Sequence, residues 1–179
     1  MQEVYEVSEP KYGREFITHE FDEAIAVQQA IVDGERQLAD VHPDAASRRA
    51  IKSALKQDER FLKDLQKLGQ PYGASGKVEE VAGSLKELME ETAQSAGEAE
   101  SEAYEAHAVL INLKRKQQDS ASAMVKIARE MKETELRDSA KEFHKVQKES
   151  SQELADCLAV FAVGIATKES NGSKAAARS

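Results

Sequence analysis

Two acidic side chains lie where the helical pattern of the sequence otherwise places apolar ones. At about 100° per residue, Glu35 falls at the centre of the apolar face of the first long helix, and Asp58 does the same on the next. The apolar residues on these faces include Ile17, Phe21, Ala24, Ile31, Val32 and Leu38 around Glu35, and Ile51, Ala54, Leu55, Leu62 and Leu65 around Asp58. Burying an ionised carboxylate without a partner is costly, so we expect both acids to face one interior site.

Carboxylates inside a helical bundle are typical of two-metal sites. Such sites combine a Glu from each of two helices with a Glu-x-x-His pair from each of two others. Glu35 and Asp58 suit the carboxylate positions, and Glu100 and His107 are the further candidate metal ligands on a later helix. If a metal is bound, we expect iron or manganese. The chain contains no Glu-x-x-His, however, because its histidines follow glutamates only at other spacings.

Each of these residues also has an interpretation without a metal. Glu35 and Asp58 would pair with a basic side chain reaching in from a facing helix, for which Arg48 and Lys114 are candidates. His107 would then be an ordinary buried histidine, bonded to one of the two acids. The sequence leaves both interpretations open.

The charge pattern limits the classes of partner. The 179 residues are 32% charged with a formal net charge of -8, and acids and bases alternate along the helical segments. This argues against nucleic acid and membranes as partners, since phosphate binding needs clustered Lys and Arg. The densest basic cluster, residues 114–116, is predicted to lie in the last turn of a helix and to complement its dipole. A single cysteine and an acidic start without signal-peptide features predict a cytoplasmic protein.

Proline and glycine divide the chain into four predicted helical stretches. The first begins at Thr18 as N-cap and ends near residue 41, and the second begins at Pro43 and ends at Gly69. The short connection between them predicts an antiparallel hairpin.

The third and fourth stretches are predicted to be interrupted. The third should kink or break near Gly97 and end at residue 116, after which Asp119 or Ser120 caps the fourth. The inward face of the fourth rotates by about 100°, which requires a bulge, kink or break around 134–138. Because no strand pattern follows residue 15, we predict an all-α fold: an antiparallel four-helix bundle.

The ends of the chain are predicted to lie outside this bundle. We expect an N-terminal arm over 1–15, a bundle domain over 16–166 and a disordered tail over 167–179. In the final helix Val160 and Val163 project away from the core line and would be exposed on a monomer. We expect a homo-oligomer interface there, or a cover formed by the apolar residues of the arm, Val4, Tyr5 and Val7.

One part of the chain is similar to a known family. The segment AIVDGERQLADVHPDAASRRAIKSALKQDERFLKDLQKLG, residues 30–69, has an acid-x-Gln-Leu pattern at Glu35, Gln37 and Leu38 and a leucine-rich LxxL end. It resembles the first hairpin of the stress-induced ferritin-like proteins of the YciE/YciF kind. The segment EAESEAYEAHAVL, residues 98–110, looks like the family's acidic, tyrosine-containing helix. The family's second-helix histidine is absent, with Asp58 in that neighbourhood. The resemblance implies a ferritin-like bundle.

Three functions follow from these patterns. The first is a ferritin-like bundle with a buried acidic centre, stress-related or a binding protein, and present as a homodimer. The second is an elongated helical interaction or scaffold protein without metal, and the third is a carboxylate-bridged di-metal oxidase or peroxidase. Catalysis is not favoured, because the sequence has neither a nucleophile beside a base nor a phosphate-binding loop.

Overall fold

The computed structural model describes residues 11–77 and 80–176, and every regular element in these ranges is helical. The helices are α1 (Lys11–Val41), α2 (Ala45–Gly69), α3 (Glu80–Ser95), α4 (Glu100–Glu130) and α5 (Thr134–Ala176), with one 3₁₀ turn (Gln70–Tyr72) after α2. The predicted all-α class is therefore confirmed. None of the helices in these ranges is long and apolar enough to cross a membrane.

The first two helices form the predicted hairpin, closed by a capped turn. Asp44 is the N-cap of α2, and its carboxylate accepts a hydrogen bond of 2.6 Å from the backbone N–H of Ser47. Pro43 lies just before this cap, and α2 ends at Gly69 as predicted.

The start of α1 differs from the prediction. The helix already includes Lys11, so Thr18 lies within it and is not an N-cap. The Thr18 hydroxyl instead donates to the carbonyls of Arg14 and Tyr72, the latter at 2.6 Å, and so ties α1 to the 3₁₀ turn. Of the predicted arm, residues 11–15 are helical, and residues 1–10 lie outside the described residues.

The break near Gly97 is confirmed, but the next predicted helix end is wrong. Residues 96–99 separate α3 from α4, and α4 then continues without interruption to Glu130. Asp119 and Ser120 lie within α4 and do not cap a new helix. A polar residue can stay inside a helix when no glycine or proline ends it, and the basic cluster of residues 114–116 is accordingly mid-helical.

The change of inward face coincides with a break directly before the expected range of 134–138. Lys132 has a left-handed backbone conformation (φ 61°), and the N–H of Glu133 donates to the Ala128 carbonyl at 2.9 Å. This is a Schellman ending, for which glycine is the usual residue, and it separates α4 from α5. The tail predicted to be disordered from residue 167 differs as well, because α5 continues to Ala176.

Close contacts fix how α3 lies on the other helices. A Cβ at Gly34 of α1 would lie 2.8 Å from the Met89 side chain of α3, so glycine lets the two helices approach. Farther along, Gly97 lies against Val41. Because residue numbers increase together in these contacts, α3 runs parallel to α1 and connects the end of α2 to the start of α4.

Candidate functional site

The two predicted acids meet a lysine at the centre of the protein. Glu35 of α1, Asp58 of α2 and Lys114 of α4 are 0%, 1% and 0% exposed. The Lys114 ammonium lies 2.8 Å from Glu35 Oε1 and donates a short hydrogen bond to Asp58 Oδ2. The prediction that both acids are buried and share one interior space is confirmed, and their partner is Lys114. Arg48, the other candidate, instead donates to the carbonyls of His42 and Pro43.

Three glutamines complete the hydrogen bonding around Asp58. Gln28 Nε2 donates to Asp58 Oδ1 at 2.7 Å, and Gln147 of α5 donates to the same oxygen. Gln117 holds Gln28 in place by donating to its side-chain oxygen at 3.0 Å. Asp58 is therefore bonded to side chains from α1, α4 and α5, whereas among the described residues Glu35 has an ammonium contact with Lys114 alone.

Burial and the neighbouring charges set the protonation state of Glu35. Burial raises the pKa of Glu35 to about 8; the Lys114 ammonium opposes this rise, and the nearby Asp58 carboxyl adds to it. Burial lowers the pKa of Lys114, but the charges of Glu35 and Asp58 outweigh burial and leave that pKa raised. At neutral pH, Lys114 is therefore charged and Glu35 holds a proton. The Lys114 ammonium then forms the ion pair of this centre with Asp58.

Because Glu35 holds a proton in the folded state, we expect the free energy of unfolding to depend on pH. The folded-state pKa of about 8 lies above the ordinary 4.5, so the folded state retains a proton that the unfolded state has lost. The resulting stability is complete below the ordinary pKa and is lost as the pH rises through 8. Relative to Glu35→Gln, the free energy of unfolding of the wild type should fall by about 1–2 kcal/mol between pH 6.5 and 8. Urea denaturation of both proteins measures this, and the comparison cancels the histidine contributions. If the free energies of unfolding of the two proteins changed equally with pH, this prediction would be wrong.

The predicted ligand His107 belongs to a separate buried pair. His107 Nδ1 lies 3.3 Å from His42 Nε2, and the Asp44 N–H donates to His42 Nδ1 at 3.1 Å. His42 must therefore carry its proton on Nε2 and donate it to His107. Burial lowers the pKa of His42, and burial followed by the His42 charge lowers that of His107 to about 4. The expectation that His107 bonds to Glu35 or Asp58 is wrong: its partner is His42.

The four predicted metal ligands do not meet at one point. His107 precedes Lys114 by seven residues of α4, which separates them by about 10 Å along the helix, and Glu100 lies another seven residues away. Glu100 pairs instead with Lys168 of α5, at 2.6 Å. Among the described residues, the cluster spaced closely enough to hold a metal is His19, Glu20 and Glu23 on the surface of α1. The i, i+4 spacing of His19 and Glu23 was the available signal for this cluster.

No family model, curated protein or solved structure matches the chain.

Proposed function

We propose that this protein is a ferritin-like bundle of a metal-independent kind, which works as a binding or scaffold protein and not as a di-metal oxidase. The observation that carries the proposal is the ammonium of Lys114 between the carboxyl groups of Glu35 and Asp58. A di-metal centre would need metal ions at the position that this ammonium occupies.

The order and direction of the helices support the ferritin-like part of the proposal. Four helices form a ring in which α1 packs on α2, α2 on α5, α5 on α4 and α4 on α1. Residue numbers run in opposite directions along each pair of neighbouring helices, which makes the neighbours antiparallel. The contacts are Arg36–Glu59 and Asp40–Lys52 for α1 and α2, Asp58–Gln147 and Phe61–Phe143 for α2 and α5, Glu100–Lys168 and Gln118–Ser151 for α4 and α5, and Glu23–Lys116 and His42–His107 for α1 and α4. The long return segment containing α3 joins α2 to α4, and one crossover of this kind is typical of ferritin-like bundles.

The chemistry of the central side chains supports metal independence. The four helices of the ring contribute Glu35, Asp58, Lys114 and Gln147, where a di-metal centre would use carboxylates and histidines. One carboxylate and one ammonium neutralise each other when Glu35 is protonated. A divalent ion would have to displace Lys114, whose ammonium would then remain buried beside the metal and repel it. The donor set therefore does not fit a pair of metal ions.

The proposal is tested by measuring metal content and metal binding. The protein is purified without a metal-affinity tag, analysed for iron, manganese and zinc, and titrated with Mn²⁺ and Fe²⁺ under anaerobic conditions. We expect less than one equivalent of metal and the same binding in wild type and Glu35→Gln.

The surface cluster provides a matched control. Any ion bound by His19, Glu20 and Glu23 should be lost in Glu20→Gln/Glu23→Gln, while Glu35→Gln keeps it. One or more equivalents of iron or manganese that disappear in Glu35→Gln and persist in the surface variant would overturn the proposal.

A further inference from the structure

The four-helix ring contains an apolar cavity at some distance from the buried centre. Ala121 of its wall follows Lys114 by seven residues of α4, about 10 Å along the helix. The cavity has a volume of about 60 Å³. This is roughly four to six times the space that one water molecule needs, which suits an apolar group of about four carbon atoms. Its buried lining comes from all four helices of the ring: Phe21 and Ala24, Phe61, Ala121 and Met124, and Leu136, Ala140 and Phe143.

Small side chains keep this space open. Alanines at positions 24, 121 and 140 line it, between a cluster that contains Phe61 and Phe143 and another that contains Phe21 and Met124. Atoms that line an apolar cavity lack packing partners on one side. An apolar group that enters from solvent would therefore gain packing contacts with these walls.

Acidic side chains line the part of the cavity that meets solvent. Glu20, Asp64 and Glu142 belong to its lining, and the side chains of Asp64 and Glu142 are 51% and 57% exposed. The Arg60 guanidinium lies 3.7 Å from Asp64 and 2.5 Å from Glu142. Three carboxylates are thus accompanied by one guanidinium, and this surplus of negative charge favours a cation at the opening and disfavours an anion.

We propose that this cavity binds a small organic ammonium ion, with an alkyl group of about four carbons among the phenylalanine rings and the ammonium beside the acids. The apolar walls select the body of the ligand, and the surplus of carboxylates selects its charged end. A carboxylic acid of the same shape would place its charge beside others of the same sign. The site is separate from the Lys114 centre, so its failure would leave the proposed metal independence unaffected.

NMR of the methionine methyl groups tests the site. Met124 lines the cavity, whereas Met89 packs against Gly34 of α1 and is the internal control. Protein labelled with ¹³C at the methionine methyl groups is titrated at pH 7 with isobutylamine, isobutanol and isovalerate, which share one branched alkyl group. We expect the Met124 signal, assigned with Met124→Leu, to shift with isobutylamine. The dissociation constant should be at least about fivefold lower for isobutylamine than for isobutanol, and isovalerate should bind most weakly.

Two variants test the walls and the acids separately. Ala121→Leu fills the cavity and should abolish the response to isobutylamine, while circular dichroism checks that the protein is folded. Glu20→Gln/Glu142→Gln keeps the cavity and should reduce the preference for isobutylamine over isobutanol by at least about threefold. Glu87→Gln/Glu91→Gln, at exposed positions of α3, makes the same change in net charge and should keep that preference.

Four results would overturn the proposal. The first is no shift of Met124 with isobutylamine, or an equal shift of Met89. The second is a folded Ala121→Leu variant that still responds. The third is isobutanol or isovalerate binding as tightly as isobutylamine, which would indicate a purely apolar site or a site for anions. The fourth is a preference for the amine that is the same in Glu20→Gln/Glu142→Gln and in the α3 control.

Discussion

Replacing Lys114 with methionine should lower the free energy of unfolding by about 3–5 kcal/mol at pH 7. The ammonium contacts both Glu35 and Asp58 and is fully buried, so its loss leaves two carboxyl groups without a cation in the core. Methionine is of similar length and adds no charge, so the loss of stability reflects the missing ammonium. Chemical denaturation followed by circular dichroism measures it.

Two further variants separate the ionic effect from simple loss of packing. Lys116→Met removes a neighbouring lysine whose partner, Glu23, is partly exposed, and should cost less than about 1 kcal/mol. Glu35→Gln/Asp58→Asn/Lys114→Met replaces all three ionisable groups and should recover most of the lost stability, because no group of the centre can then be charged. If the triple variant is less stable than Lys114→Met alone, the acids and the lysine are not coupled as described.

The same amide substitution should have different effects at the two acids. Asp58→Asn should destabilise by about 2–4 kcal/mol, because an asparagine cannot accept from Gln28, Gln147 and Lys114 together and its NH₂ group meets one of these donors. Glu35→Gln should change stability by less than about 1 kcal/mol at pH 6.5, because glutamine resembles the protonated acid.

Denaturation of both variants at pH 6.5 tests this asymmetry, and each variant is the control for the other. Equal losses would mean that the two carboxyl groups share the ammonium symmetrically and that Glu35 is ionised. A larger loss for Glu35→Gln than for Asp58→Asn would contradict the assignment of the proton.

Helical periodicity was sufficient to predict part of this centre. Glu35 and Asp58 interrupt apolar faces, and a charge in such a position has to be buried with a partner. Lys114 carries the same signal, since it follows Leu110 by four residues and precedes Gln117 by three. Lys114 is accordingly one of the two basic residues predicted to pair with these acids, although the cluster that contains it was predicted to lie in the last turn of a helix. Helix α4 instead ends just before Lys132, which has a left-handed backbone conformation that lysine does not favour.

The pairing of His42 with His107 could not be predicted in this way. His42 and His107 are 65 residues apart, and their contact depends on the packing of the end of α1 against α4. Periodicity gives the face on which a residue lies but not its level along a neighbouring helix. For the same reason the predicted metal ligands Glu100 and His107 were placed on suitable faces but at the wrong levels.

The titration of the Glu35 carboxyl group tests the central claim most directly. In protein carrying ¹³C-labelled glutamate, the side-chain carboxyl signal absent from Glu35→Gln is assigned to Glu35 and followed against pH by NMR. A centre held by one ammonium and one proton predicts a midpoint near pH 8. A metal held by Glu35 would keep the carboxylate ionised, so a midpoint at or below the ordinary value of 4.5 would contradict the account.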